Sequence, residues 1–174
     1  MPRKVRSITP HPTDPAAALV ELTRGYYAII DYADSEEVGK SNWYAQLSGD
    51  GRRVYAMQRS RELGEFLLHR FVATRHGLDM SDEIDHRNMN TLDCRGRNLR
   101  SATHSQNDMN RGPQRNSKSG VKGVSWHRPT EKWCARVATG GTNHYVGLFT
   151  SVEAAADAVA AKRKKLHGEF SRSK

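Results

Sequence analysis

The sequence predicts an α+β protein: a strand-rich N-terminal module, a middle segment built from a hairpin and a helix, and a C-terminal three-stranded antiparallel sheet packed on one helix. Three observations carry this. Short segments rich in β-branched and aromatic residues recur from Leu19 onward, with turn residues between them. A polar stretch from Asp85 to Asn110, crowded with Asn, Arg and His, interrupts the series. Three further strands then lead into an alanine-rich segment with helical spacing.

In order along the chain, residues 1–18 contain Pro10, Pro12 and Pro15, which oppose regular structure. Strands are expected at Leu19–Thr23, Tyr26–Asp31, Trp43–Leu47 and Arg53–Gln58, with Gly49-Asp50-Gly51 as a hairpin connection, giving a module over 1–62. Phe66, Leu67, Phe71, Val72 and Leu78 read as a strand running into a short helix that Gly77 ends, and they open a second domain over 63–110. Thr103-x-x-Gln106 has the form of a capping box, so a helix starts there and carries Asn107 in its first turns. Residues 111–119 are a basic linker suited to lie along a nucleic-acid backbone.

The last domain, 120–174, holds strands at Lys122–His127, Lys132–Ala138 and His144–Phe149. Its helix opens with a second capping box, Thr150-x-x-Glu153, and buries a stripe of Val152, Ala155, Ala156, Val159 and Leu166. Gly168 stops it, and Lys162, Arg163, Lys164 and Lys165 suit its negative end.

Composition narrows the partners. A net charge of +9 favours a polyanion, because each cation set against a phosphate releases counterions. Charge alone also fits a membrane surface or an acidic partner. The hydrophobic content of 36% points to a modest, divided core. Cys94 and Cys134 form no Cys-x-x-Cys pair, which argues against a disulfide scaffold and a four-cysteine zinc site. The basic N-terminus lacks the apolar stretch of a secretory signal and no run is apolar enough to span a bilayer, so a cytoplasmic protein is expected.

Cutting a phosphodiester needs an activated water and neutralisation of the charge that develops on the phosphate. Asp85 and Asn107 offer hard oxygen ligands, which suit Mg²⁺, Mn²⁺ or Ca²⁺ better than zinc. His86 then stays off the metal and can accept a proton from water near neutral pH, with Asn98 orienting its ring through a hydrogen bond. His104 and Asp108 are rival ligands in the same stretch, and all these residue types are also ordinary turn formers.

In the second C-terminal strand, alternation turns Trp133, Ala135 and Val137 toward the helix and Lys132, Cys134 and Arg136 outward. Ser125, His127, Arg128 and Tyr145 extend the outer face, while Lys118 and Lys122 add cations suited to phosphates. Such a face can enter a DNA major groove, and a solvated basic surface is the alternative.

The stretch DHRNMNTLDCRGRNLRSATHSQNDMNR resembles the His-Asn-His endonucleases of the phage and intron-encoded homing branch. The resemblance implies a ββα-metal fold with Asp85 as metal ligand, His86 as general base, Asn98 as the middle Asn and Asn107 as the final ligand. His69-Arg70 matches a recurrent His-Arg pair in which Arg70 reaches a phosphate. Met89 stands where a turn glycine is usual and Cys94 where Asn is common, so Asn88 or Asn90 is expected to take the left-handed turn conformation.

Residues SGVKGVSWHRPTEKWCARVATGGTNHYVGLFTSVEAAADAV resemble the Apetala-two domain of plant ethylene-response factors, which also occurs fused to phage homing nucleases. Ser125 and His127 occupy two arginine positions of that domain and Tyr145 replaces a Trp, so docking by the sheet is implied but not the target sequence. Together the resemblances imply a monomeric homing endonuclease that uses Mg²⁺ or Mn²⁺ and no small-molecule cofactor, acting on double-stranded DNA in a bacterial or phage-infected cell. A non-catalytic DNA-binding regulator and a restriction or defence nuclease are the alternatives.

Overall fold

The structure, a computed structural model, describes residues 6–60, 64–114 and 116–171. The expected break at 62/63 lies outside the described residues. The chain divides into two units, Met1–Ser101 and Ala102–Lys174. The division precedes the basic linker, so the helix that carries Asn107 groups with the C-terminal unit.

The first unit opens with an antiparallel sheet of β1 (Ile8–Pro10), β2 (Ala17–Glu21) and β3 (Tyr27–Asp31). Strand β1 falls within the proline-rich opening, where only disorder of pattern was legible. Pro10 is tolerated because it ends an edge strand, where a missing N–H costs little. Strand β2 starts at Ala17, before the expected Leu19, because the Asp14 side chain accepts the Ala16 N–H and its carbonyl accepts the Ala17 N–H. Alternation sends Ala18, Val20, Ala28 and Ile30 into the core.

A short helix α1 (Ser35–Gly39), also not foreseen, leads to Trp43, which is buried and donates its indole N–H to the Val38 carbonyl at 2.9 Å. A second antiparallel sheet joins β4 (Tyr44–Leu47), β5 (Val54–Ser60) and β6 (Gly64–Leu67), with the Gly49-Asp50-Gly51 turn between its first two strands. The apolar run then enters α2 (Leu68–Arg75), whose Leu68, Val72 and Ala73 complete the core around Trp43. Helix α2 lies against β5, β6 and the following strand β7 (Glu83–His86), which pairs with β8 (Leu99–Ala102) in a two-stranded sheet.

The second unit begins with α3 (His104–Asn110), which starts at the expected box: Thr103 Oγ1 accepts the Gln106 N–H and Gln106 accepts the Thr103 N–H. Its sheet has the order β11-β10-β9, from β9 (Val124–His127), β10 (Lys132–Thr139) and β11 (Thr142–Phe149). Helix α4 (Val152–His167) covers one face, and Val124, Ala135, Val137, Ala155 and Val159 make a small core with it. The cap of α4 is Ser151, whose hydroxyl accepts the Ala154 N–H, one residue later than the sequence suggested.

Not all of the α4 cations lie at the surface. Arg163 is buried and donates to the Lys122 carbonyl, and buried His167 donates its Nε2–H to the Ala138 carbonyl at 3.0 Å. Gly123, at φ +79°, permits this crossing, since a Cβ there would collide with the Arg136 carbonyl.

Candidate active site and nucleic-acid face

Strand β7 brings Ile84, Asp85 and His86 into the interior of the first unit. Asp85 is 6% exposed, and Arg100 of the paired strand β8 donates both Nε and Nη2 to its Oδ2, at 2.9 and 2.7 Å. A carboxylate can be held in the interior when a guanidinium sits against it, because the attraction offsets much of the desolvation cost. Sequence reasoning did not single out Arg100. The available signal was its position in Asn-Leu-Arg, one step into a strand destined to pair with β7.

His86 is 5% exposed, and the His69 ring stands edge-on to it with centroids 4.8 Å apart. The Tyr55 ring also neighbours His69, with centroids 5.9 Å apart. Burial lowers the His86 pKa to about 4; Asp85 and Asp93 oppose the shift and Arg53 adds to it. Burial likewise lowers His69 to about 3, helped by the charge interactions with His86 and Arg70. Both rings are therefore neutral near pH 7, and a neutral imidazole can accept a proton.

Asn98 is buried, but its amide does not reach the imidazole. Its Nδ2 donates to the Asp93 carbonyl at 2.7 Å and its Oδ1 accepts the Asn88 N–H at 3.1 Å. The expected orienting bond is replaced by a brace across the loop between β7 and β8. Asp93 completes the brace by accepting from Asn88 Nδ2 at 2.8 Å and from Arg95 through both of its oxygens. Burial alone would raise the Asp93 carboxyl, but the Arg95 bonds and charge outweigh it and leave the pKa lowered.

The left-handed residue of this loop is Met89, at φ +63°, and neither asparagine. Asn88 and Asn90 are used instead through their side chains, Asn88 Oδ1 accepting the Asn90 N–H and Asn90 Oδ1 the Leu92 N–H. Arg70 is half-buried, with Nη2 at 3.4 Å from the Met80 carbonyl.

Among the described residues, one group of Asp and His side chains has metal-ligand spacing, Asp31, Asp34 and His76, and none of these was singled out from the sequence. Its buried member Asp34 already accepts from Arg75 Nε at 2.9 Å and pairs with His76 Nε2 at 2.9 Å, which accounts for the arrangement as an ion-pair network.

Asn107 belongs to α3 of the second unit and is partly buried. The rival donors are engaged along that helix: Asp108 accepts from Arg111 at 2.9 Å and stands 3.7 Å from His104. Lys122 points its ammonium at the last carbonyls of α3, those of Asp108 and Met109, and so closes the end of the helix. Lys118 is exposed in the preceding turn.

On the outer face of the sheet, His127 pairs in register with Lys132 and Ser125 with Cys134, and beyond a bulge Arg136 pairs with Tyr145. Ser125, Arg128, Lys132, Arg136 and Tyr145 are exposed, Tyr145 at 60%, while His127 is half-exposed and bonded to Thr130 Oγ1 at 2.8 Å. Cys134 departs from the expected exposure. It is a small side chain on the central strand between Ser125 and Leu148, and it is buried.

A family model described as HNH endonuclease matches residues 66–109, which span β6, α2, β7, β8 and α3. An uncharacterized HNH endonuclease of Acanthamoeba polyphaga mimivirus is 32% identical over 150 residues, covering 84% of this chain and 74% of that protein. Protein 3.8 of Escherichia phage T7 is 34% identical over 89 residues, covering 51% of this chain and 73% of its own length. No solved structure matches the chain at a significant level. With a viral HNH endonuclease aligned over most of both lengths, and with Asp85, His86 and Asn98 inside the matched segment, the chain belongs to the HNH endonuclease family and is a DNA endonuclease.

Proposed function

We propose that the chain is a metal-dependent, site-selective DNA endonuclease of the homing type, in which His86 takes the proton from the attacking water. The observation that carries this reading is a neutral imidazole next in the chain to a carboxylate that Arg100 holds in place. Asp85 and, by its place in the family motif, Asn107 are the oxygen donors for Mg²⁺ or Mn²⁺. Their chemistry fits a hard cation, with the Asp85 charge shared between that ion and Arg100. When bound, the ion supplies positive charge to the scissile phosphate and its leaving oxygen. Asn98 keeps the loop closed, and the order β7, β8, α3 follows the ββα-metal motif.

The C-terminal sheet is the proposed reader of double-stranded DNA, with Arg136, Arg128, Lys132, His127, Ser125 and Tyr145 toward the groove and Lys118 and Arg70 on phosphates. The resemblance to the Apetala-two domain and the exposed cations of the outer face support this. The same reading gives the enzyme a mobile-element role and a monomeric state in a bacterial or phage-infected cell, and its relatives come from a virus and a phage.

The test is cleavage of double-stranded plasmid by the whole protein. Activity should vanish with EDTA and return with Mg²⁺ or Mn²⁺. His86→Ala should lower turnover about a hundredfold or more, the scale of a lost general base, with DNA affinity unchanged. Full activity in EDTA removes the metal from the reading; an undiminished His86→Ala removes the base.

A further inference from the structure

The N-terminal sheet has no part in the chemistry above, yet the loop between β7 and β8 is docked along it. Ile29 of β3 donates its N–H to the Leu92 carbonyl at 2.7 Å and accepts the Cys94 N–H at 2.8 Å, so the loop runs beside β3 as an added parallel bridge. Two residues further, the Gly96 N–H donates to Asp31 Oδ2 at 2.7 Å. The His76 ring fills the space a Cβ at Gly96 would need, so the approach is close by construction.

Arg95 spans the junction. Its Nε and Nη2 each meet one oxygen of Asp93 at 2.7 Å, and its Nη1 donates to Asp14 Oδ2 at 3.0 Å. Arg97 donates to the same Asp14 oxygen at 3.0 Å. Bonds therefore run without a gap from Asp14 to Arg95, to Asp93, and on to Asn88 and Asn98. The loop so held begins directly after His86.

We propose that the N-terminal sheet is a positioning element of the nuclease site, with Asp14 acting through Arg95 to hold the 87–98 loop in the form that sets His86. Asp14 and Arg95 are positioning residues and touch no substrate in this scheme. An ordinary exposed ion pair would do little. Here the fork of Arg95 locks onto an Asp93 that is 2% exposed, which fixes its geometry. The stretch 87–90 is exposed and polar apart from Met89, so bonds rather than apolar packing hold it. A base misplaced by about 1 Å costs about a hundredfold in rate, so slight loosening becomes measurable.

The proposal rests on His86 being the base, and the experiment separates the two ideas. Asp14→Asn keeps an oxygen for the Ala16 N–H but removes the charge facing Arg95 and Arg97; Arg95→Lys keeps the charge but cannot fork. Both are made in the whole protein and assayed well below its melting temperature with saturating Mg²⁺. Asp14→Asn should lower kcat about fivefold and Arg95→Lys about tenfold, with KM unchanged, and the double variant should fall no further than Arg95→Lys alone. Asp14→Glu should recover most of the rate. Amide exchange over residues 88–98 should quicken in Asp14→Asn while α2 and β5 keep their protection. Wild-type kcat, wild-type loop exchange, strictly additive losses, or a change confined to KM would each overturn the proposal. Faster loop exchange in Asp14→Asn together with an undiminished His86→Ala would leave the dock standing and remove its link to the base.

Discussion

In the first unit the carboxylates of Asp34, Asp85 and Asp93 are 4%, 6% and 2% exposed, and each rests against an arginine. In the second unit Arg128, Lys132 and Arg136 stand exposed on a sheet whose core is little more than alanine and valine. Burying a charge is costly unless a partner fixes it, so the groups of the first unit are oriented before any substrate arrives. Exposed cations keep their freedom and their hydration until they meet a polyanion and displace its condensed counterions. One unit holds its charges in fixed, buried pairs. The other carries them exposed on a sheet face.

The sharpest way to break this division is at α3, which carries a proposed metal ligand but leans on the C-terminal unit. Its seven residues are too few to stay helical alone, and it packs against β10 and the turn Gly168–Phe170 with Lys122 over its last carbonyls. Ending the chain near Ser117 should therefore abolish most cleavage of any DNA, target or not, although every residue of the matched family segment remains. Lys122→Met in the whole protein should loosen α3 amides in hydrogen exchange. A truncated protein that cuts nonspecific DNA at the wild-type rate would show that α3 needs nothing beyond the nuclease segment.

Acid should separate the units next. The His69 and His86 pKa values are lowered in the folded state, to about 3 and about 4, from an ordinary value of 6.5. Between those values the unfolded chain binds more protons than the folded one, so stability is full above about pH 6.5 and is lost as pH falls toward 4 and then 3. The loss should amount to a few kcal/mol and be read as a falling melting temperature. His69→Phe should flatten the slope. An unchanged melting temperature from pH 7 to 4 would mean that solvent reaches both rings in the folded protein.

The smallest expected effect lies on the outer sheet. Arg136→Ala should cost about 1–3 kcal/mol of binding if its guanidinium forks onto a base, and it should relax preference at one base pair. Competition binding on target and scrambled duplexes at matched salt reads this directly. An equal loss on both duplexes would reduce Arg136 to a phosphate contact.

Features governed by neighbours a few residues apart were legible in advance. The Thr103–Gln106 box, the stop at Gly168 and, apart from Cys134, the alternation along β10 depend on spacings of two to four, and the structure bears them out. The same locality explains the near misses. Thr150 and Ser151 are equally good caps in composition, and only the path leaving β11 selects Ser151. Asn88 and Asn90 are the natural left-handed residues, but their side chains are committed to Asp93 and to backbone N–H groups, so the turn falls on Met89.

Spacing alone left Asp85-His86 as one candidate among ordinary turn residues, and the resemblance of the whole stretch to the His-Asn-His endonucleases singled it out as the proposed catalytic pair. Which groups surround that pair was decided by tertiary contacts. His69 reaches His86 from α2, Arg100 reaches Asp85 across a strand pair, and Asp14 reaches Arg95 from the opening of the chain. Bonds between residues so far apart in sequence leave no periodic trace, since packing rather than spacing brings the partners together. The burial that lowers the His86 pKa arises in the same way: it belongs to the assembled unit and to no segment of it.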